Sequence, residues 1–135
     1  MKELTVHATV ESLQAVTDFV DAQLEAVDCS MKAQTQIDIA IDELFANIAH
    51  YAYGEGIGDA TVRFDFDEAT RMASITFVDS GVPFDPLEKA DPDVTLSAEE
   101  RAIGGLGIFM VKKTMDKMEY SYENGFNILT IHKTV

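Results

Sequence analysis

Two hydrophobic periods follow one another at the start of the chain. In residues 4–10, LTVHATV, apolar and polar side chains alternate, which predicts a half-buried β-strand. In residues 13–27, apolar side chains recur every three or four positions, which predicts an amphipathic helix. Ser12 precedes this helix, and serine is a preferred N-cap residue. We therefore expect a strand followed by a capped helix.

The rest of the chain contains six further segments with a helix or strand pattern. They are a helix over residues 32–50, strands over residues 61–67 and 73–78, a helix over residues 105–117, and the two strands of a hairpin over residues 118–133 that turns at Asn124-Gly125. The order β-α-α-β-β-α-β-β predicts an α/β (α+β) two-layer sandwich, with a mixed, mostly antiparallel sheet and helices on one face. We expect residues 1–135 to form a single domain.

The composition and the N-terminal sequence indicate where in the cell the protein is located. No apolar run approaches the roughly 18 residues that a transmembrane helix requires, and the N-terminus lacks the apolar block of a signal peptide. Cys29 is the one cysteine, so no intrachain disulfide can form. These features predict a cytoplasmic protein that does not bind membranes.

The balance of acidic and basic residues limits the classes of molecule that the protein can bind. The chain has 10 basic and 24 acidic residues, a formal net charge of −14. Because nucleic-acid phosphates require a basic surface, we expect no direct binding to DNA or RNA. The negative field favours a basic protein partner, and it repels a free polyanion unless a local site offsets it.

The predicted helix over residues 32–50 carries two stripes. Apolar side chains at helical spacing form a core stripe: Ile37, Ile41, Leu44 and Ile48. Glu43, Asn47 and His50 form a second, polar stripe, in which Glu43 and Asn47 lie one helical turn apart. This stripe is either a solvated edge or a set of functional groups, and the helix pattern alone leaves both interpretations open.

A carboxylate follows the predicted strand over residues 73–78, in the sequence VDSGVPFDP. Asp79 with the serine and glycine after it is common turn chemistry. A carboxylate that faces a pocket can also accept a hydrogen bond from an exocyclic amine, and it would then select adenine over guanine. The connection after Gly81 contains all three prolines and is long enough to be a lid, a binding loop or a disordered segment.

A glycine-rich turn enters the last predicted helix in the sequence AIGGLGIFMVKK. Gly104, Gly105 and Gly107 would allow backbone N–H groups to approach phosphates at a helix N-terminus, or they form a flexible hinge. No βαβ unit surrounds them, which disfavours a dinucleotide-binding fold, and the sequence lacks the Lys-Ser/Thr ending of a P-loop.

Together these stretches form an ordered set: E-x-x-x-N on a helix, D-x-G after a strand, and G-G-x-G opening a helix. The set resembles the N, G1 and G2 boxes of the GHKL ATPase superfamily. Within that superfamily, DELFANIAHYAY, VDSGVPFDP and GGLGIFMVKKTMDKMEY are most similar to anti-sigma-factor serine/threonine kinases. The resemblance covers nearly the whole chain and implies a GHKL (Bergerat-type) ATP-binding fold.

The resemblance implies a role for each matching residue. Glu43 corresponds to the catalytic glutamate, which accepts the proton of an attacking hydroxyl or positions a water. Asn47 corresponds to the Mg²⁺ ligand. Asp79 corresponds to the residue that binds the adenine amino group, with Gly81 giving the ring room. The phosphate-binding loop is implied at Gly104, Gly105, Leu106 and Gly107, and the ATP lid over residues 82–103.

The resemblance also implies cofactors and partners. ATP and Mg²⁺ would be the cofactors, and the leading hypothesis is a kinase that holds a sigma factor and phosphorylates a small anti-sigma antagonist protein on serine or threonine. Relatives of this size often form homodimers. The alternative is a non-catalytic, nucleotide-gated binding module that sequesters a protein partner. A plain interaction domain with a decayed site is disfavoured by the intact Asn47, Asp79 and glycines.

Five other positions have weaker support. Arg101 precedes the glycines and is a candidate phosphate contact, whereas Lys112 and Lys113 are better explained as a solvated helix face. His50 is explained equally well as a partner of the Mg²⁺ site and as a helix-end contact. Asn127 aligns loosely with a polar position near the adenine in relatives, and we assign it no role.

Overall fold

The computed structural model describes residues 1–54, 56–88 and 105–135. Eight helices and strands lie within these residues, in the predicted order: β1 (Lys2–His7), α1 (Leu13–Ala26), α2 (Met31–Tyr51), β2 (Asp59–Asp67), β3 (Met72–Asp79), α3 (Gly105–Thr114), β4 (Lys117–Glu123) and β5 (Phe126–Thr134). Short 3₁₀ turns cover Val10–Ser12 and Pro86–Glu88. No helix in this described part of the chain is long and apolar enough to cross a membrane.

The five strands form one sheet in the order β1-β2-β3-β5-β4. The predicted fold class is confirmed, but the expected mixed character of the sheet is not observed. Each of the four pairings between described strands is antiparallel, because two hairpins make up most of the sheet and β5 pairs in this sense with β3 and β4 alike. The register between β3 and β5 brings Asp79 opposite Asn127.

A single hydrophobic core lies between one face of the sheet and the helices, as the alternating strands predict. The largest fully buried side chains come from both layers: Leu24, Ile37, Ile41, Leu44 and Phe45 from the helices, and Val62, Ile75, Phe77 and Ile131 from the strands. Removing this much apolar surface from water is the main stabilising contribution to the fold. It also packs α2 against the sheet.

The first strand is shorter than its hydrophobic alternation predicts. β1 ends at His7, because the chain then turns: the N–H of Thr9 donates to the carbonyl of His7 at 2.8 Å. Val10 therefore lies in a 3₁₀ turn and is exposed, although the alternation over residues 4–10 placed it on the buried face.

The two long helices begin differently. Ser12 precedes α1, but its side chain does not cap the helix, because its backbone is already helical (φ −83°, ψ −10°) after the 3₁₀ turn. Its hydroxyl lies 3.2 Å from that of Thr9 instead. α2 has a side-chain cap: the Ser30 hydroxyl accepts from the N–H of Ala33 at 3.2 Å. Such a cap stabilises a helix by about 1 kcal/mol.

The last helix and the C-terminal hairpin form as predicted, but the helix ends earlier than predicted. α3 ends at Thr114 rather than at residue 117, because the N–H of Asp116 donates to the carbonyl of His132 at 2.9 Å and leads the chain into β4. The hairpin turns at Asn124 and Gly125, with φ values of 55° and 84°. Left-handed backbone at both positions is what this dipeptide favours.

Candidate functional site

The polar stripe of α2 divides into buried and exposed parts. Glu43 and Asn47 are half-buried and lie one helical turn apart. His50 is exposed and contacts Tyr51 through tilted rings whose centroids are 6.1 Å apart. The helix therefore directs two of its three predicted polar groups toward the interior and leaves the third in water.

Asp79 is buried at the end of β3, with 5% of its surface exposed. Its Oδ1 accepts two hydrogen bonds, from the N–H of Gly81 at 2.9 Å and from Nδ2 of Asn127 at 2.9 Å. The first bond closes a tight turn of the kind that Asp-x-Gly sequences favour. The second joins β3 to β5 across the sheet, so the carboxylate is held by both a local and a long-range contact.

Asn127 and Tyr120 complete the polar network around Asp79. The Asn127 side chain is also 5% exposed, and its Oδ1 accepts a hydrogen bond from the Tyr120 hydroxyl. Burial raises the pKa of that hydroxyl, so it remains protonated and able to donate. The sequence did contain a signal for Asn127: it occupies an inward position of β5, in alternation with the buried Leu129 and Ile131.

A cleft opens beside Asp79, and we refer to it as the Asp79 cleft. Its lining combines apolar side chains with a few polar groups: Leu44, Ile48, Phe77, Phe84 and Leu129 with Asn47, Asp79, Tyr120 and Asn127. An apolar pocket with a small number of placed polar groups suits a flat ring that carries one hydrogen-bond donor. His50 does not line it.

Gly81 allows two backbone segments to approach each other. A Cβ at this position would overlap the backbone carbonyl of Ala52, just after α2. The next N–H, that of Val82, donates to the same carbonyl at 2.8 Å. Glycine is therefore needed here for the contact between the end of α2 and the loop after β3, a reason that the sequence analysis did not anticipate.

Gly107 lies directly against Glu43. A Cβ at Gly107 would overlap the carboxyl carbon and both oxygens of the Glu43 side chain. Gly107 belongs to the first turn of α3, where backbone N–H groups have no partner within the helix and favour anions. Two separately predicted parts of the site, the glutamate of α2 and the glycine-rich turn, are thus in contact.

Other predicted residues lie elsewhere or outside the described residues. Gly105 is the first residue of α3, and Leu106 follows it in the helix. Gly104, Arg101 and residues 89–103 of the expected lid lie outside the described residues.

Lys112 and Lys113 lie in the last turn of α3, at the end opposite to the glycines. The ammonium group of Lys113 lies 5.2 Å from the centre of the Phe109 ring. Lys113 is exposed and Lys112 is half-buried. The expected solvated helix face stays a prediction.

The fold is that of an ATPase domain of the GHKL type, and comparison with known families agrees. A model for the histidine kinase-like ATPase domain matches residues 6–133. The chain belongs to this family, and the resemblance found in its three sequence boxes is confirmed.

The individual proteins that this chain resembles share modest sequence identity with it. The serine/threonine-protein kinase BtrW of Bordetella bronchiseptica is 24% identical over 102 residues, which cover 76% of this chain and 71% of BtrW. The serine-protein kinase RsbW of Bacillus cereus is 32% identical over 95 residues, and RsbW of Bacillus anthracis is 30% identical over 95 residues. Both of these matches cover 67% of this chain but 58% of the relative, so the chain spans less than two thirds of the length of these RsbW proteins.

Proposed function

We propose that this chain is a protein-serine/threonine kinase of partner switching, which uses ATP and Mg²⁺. In this proposal it holds a sigma factor and phosphorylates a small anti-sigma antagonist protein. The observation that carries it is the contact between the Glu43 carboxylate and Gly107, on the same helix face as Asn47 at the Asp79 cleft. The names of BtrW and RsbW as protein kinases support the same activity.

The Asp79 cleft is the proposed adenine site. Its apolar walls, which include Phe77 and Leu129, suit a purine ring, and the Asp79 carboxylate suits the exocyclic amine. Guanine carries a carbonyl at that position, which would face the carboxylate acceptor to acceptor. We therefore expect binding to favour ATP over GTP.

Asn47 is the proposed Mg²⁺ ligand. Within the described residues, no group of three or more His, Cys, Asp or Glu side chains is arranged to bind a metal ion. A single side-chain oxygen fits Mg²⁺, which proteins commonly bind through one or two side-chain oxygens together with phosphates and waters. Asn47 lines the cleft and offers a neutral amide oxygen, while bound Mg²⁺ would neutralise charge on the phosphates.

Glu43 is the proposed general base. None of the ion pairs between described residues includes Glu43, so no basic side chain in this part of the protein competes for its carboxylate. A positioned carboxylate can accept the proton of an acceptor hydroxyl as the phosphoryl group is transferred. The adjacent first turn of α3 would bind phosphate oxygens through its backbone N–H groups.

The test compares nucleotide binding with phosphoryl transfer. Calorimetric titration with ATP and Mg²⁺ measures binding, and radiolabelled ATP with candidate antagonist proteins measures transfer. We expect Glu43→Gln to retain ATP binding and to lower transfer by roughly 100-fold or more. Glu68→Gln, the same change in the exposed turn after β2, serves as the matched control.

Two results would redirect the proposal. Adenine-selective binding without ATP consumption, with any partner, would favour the nucleotide-gated binding module instead. Absence of ATP binding by folded protein would contradict both functions. The predicted homodimer and the cytoplasmic location stay predictions.

A further inference from the structure

The side-chain amide of Asn127 has a partner for each of its hydrogen-bonding groups. Its Nδ2 donates to Asp79 Oδ1 at 2.9 Å and to the Val82 carbonyl at 2.9 Å. Its Oδ1 accepts from the N–H of Phe84 at 3.1 Å and from the Tyr120 hydroxyl. Because an amide has two donors and two acceptor lone pairs, this arrangement is complete. The reversed amide would direct its oxygen at two other acceptors, so only one orientation is stable.

This orientation determines which oxygen of Asp79 is available to a ligand. Oδ1 faces two donors, the N–H of Gly81 and Nδ2 of Asn127. Oδ2 has no hydrogen bond to any residue that the structure describes, and Asp79 lines the cleft. Oδ2 is therefore the acceptor that a bound base would meet.

We propose that Asn127 is a specificity-determining residue, which orients the side chain of residue 79 so that one atom alone faces the base. The inference rests on the proposed binding of ATP in the Asp79 cleft. With aspartate at position 79, the atom that faces the base is an acceptor, which pairs with a 6-amino purine and opposes a 6-oxo purine.

The same geometry predicts the behaviour of the Asp79→Asn variant. The introduced amide must direct its oxygen at the N–H of Gly81 and at Nδ2 of Asn127, since an NH₂ group there would face two donors. Its NH₂ group then faces the cleft. The variant should therefore prefer ITP, whose base has a 6-carbonyl and lacks the 2-amino group of guanine, over ATP.

Tyr120 supports the orientation of Asn127. Its hydroxyl donates to Asn127 Oδ1 and so positions the amide beside Asp79, while the N–H of Phe84, which can only donate, fixes which end of the amide is the oxygen. Tyr120→Phe removes this hydroxyl and keeps the ring. We expect it to reduce the discrimination between ATP and ITP several-fold.

The experiment measures Kd for ATP and for ITP, each with Mg²⁺, by calorimetry. We expect the wild-type protein to bind ATP about 10- to 100-fold more tightly than ITP, the range for an unpaired buried polar group. Asp79→Asn should invert this preference. Adding Asn127→Asp to Asp79→Asn supplies an acceptor that draws the NH₂ group away from the cleft, and the preference should return to ATP.

Controls separate this role from a structural one. Asn124→Asp adds the same charge in the exposed hairpin turn and should leave the ATP/ITP ratio unchanged. Thermal unfolding verifies that each variant folds, and if the double variant fails to fold, the decision rests on Tyr120→Phe. Equal loss of both nucleotides in Asp79→Asn, a double variant that still prefers ITP, or unchanged discrimination in Tyr120→Phe would overturn the role of Asn127. Failure of the wild-type protein to bind ATP would instead overturn the proposed function.

Discussion

Replacing Gly107 with alanine should separate stability from catalysis. The three heavy atoms nearest to the new methyl group would all belong to the carboxylate of Glu43, which it would overlap. That carboxylate is the end of a flexible side chain, so it can move without any shift of the backbone. The backbone of Gly107 is helical, within α3, and alanine adopts this conformation without strain.

The magnitudes follow from this geometry. Carbon atoms pack at roughly 3.5 Å, so the Glu43 carboxylate must move by about 1 Å. Alanine gains about 0.5–1 kcal/mol over glycine within a helix, which offsets the cost of moving the side chain. We therefore expect the free energy of unfolding to stay within about 1 kcal/mol of the wild-type value. A catalytic group misplaced by about 1 Å can lower the rate roughly 100-fold.

The assay combines denaturant unfolding with single-turnover phosphoryl transfer. Gly81→Ala should instead destabilise the protein, because its methyl group would meet the backbone carbonyl of Ala52. We expect the free energy of unfolding to fall by about 2 kcal/mol or more. Gly56→Ala is the neutral control, since its methyl group would lie 3.4 Å from the carbonyl of Tyr53. A strongly destabilised Gly107→Ala protein, or one with an unchanged transfer rate, would refute this reasoning.

Two further substitutions, Asp38→Asn and Tyr53→Phe, test contributions to the stability of the fold. Burial, together with the neighbouring carboxyl group of Asp21, raises the pKa of Asp38 from 3.8 to about 7. The folded state therefore binds this proton more tightly than the unfolded chain does, and the free energy of unfolding should fall as pH rises from about 4 to 7. Asp38→Asn should remove this slope and, after solvent screening, gain about 1 kcal/mol at pH 8 in urea unfolding; equal slopes in both proteins would contradict it. Tyr53→Phe loses hydrogen bonds to the Asp59 carbonyl (2.6 Å) and from the Ser80 N–H (2.8 Å), so it should cost about 1–3 kcal/mol in the same assay; unchanged stability would mean that water replaces the hydroxyl.

Local patterns in the sequence determined the elements of this protein. The helical spacing of Ile37, Ile41 and Leu44 predicted the core stripe of α2, and all three are buried. The Asn124-Gly125 dipeptide predicted the hairpin turn. These features depend on residues within a few positions of each other, so periodicity and turn chemistry are sufficient to find them. Ser12 shows the limit, because the 3₁₀ turn before it removed its capping role.

The functional residues of the site were predicted one motif at a time. Glu43, Asn47 and Asp79 were selected by residue type and by the motifs around them. The contact of Glu43 with Gly107 and the bond of Asp79 to Asn127 join residues 64 and 48 positions apart in the chain. Nothing in a local pattern specifies which of these groups meet.

Tertiary structure decided the rest. The pairing of β3 with β5 sets the register that brings Asn127 to Asp79, and the close approach of Ala52 explains the glycine at position 81. Strand alternation reveals which face of a strand is buried, but not which strand lies beside it or at what offset. The sequence by itself thus determined the elements and the chemical groups, whereas long-range packing of the sheet against α2 decided their positions in the site.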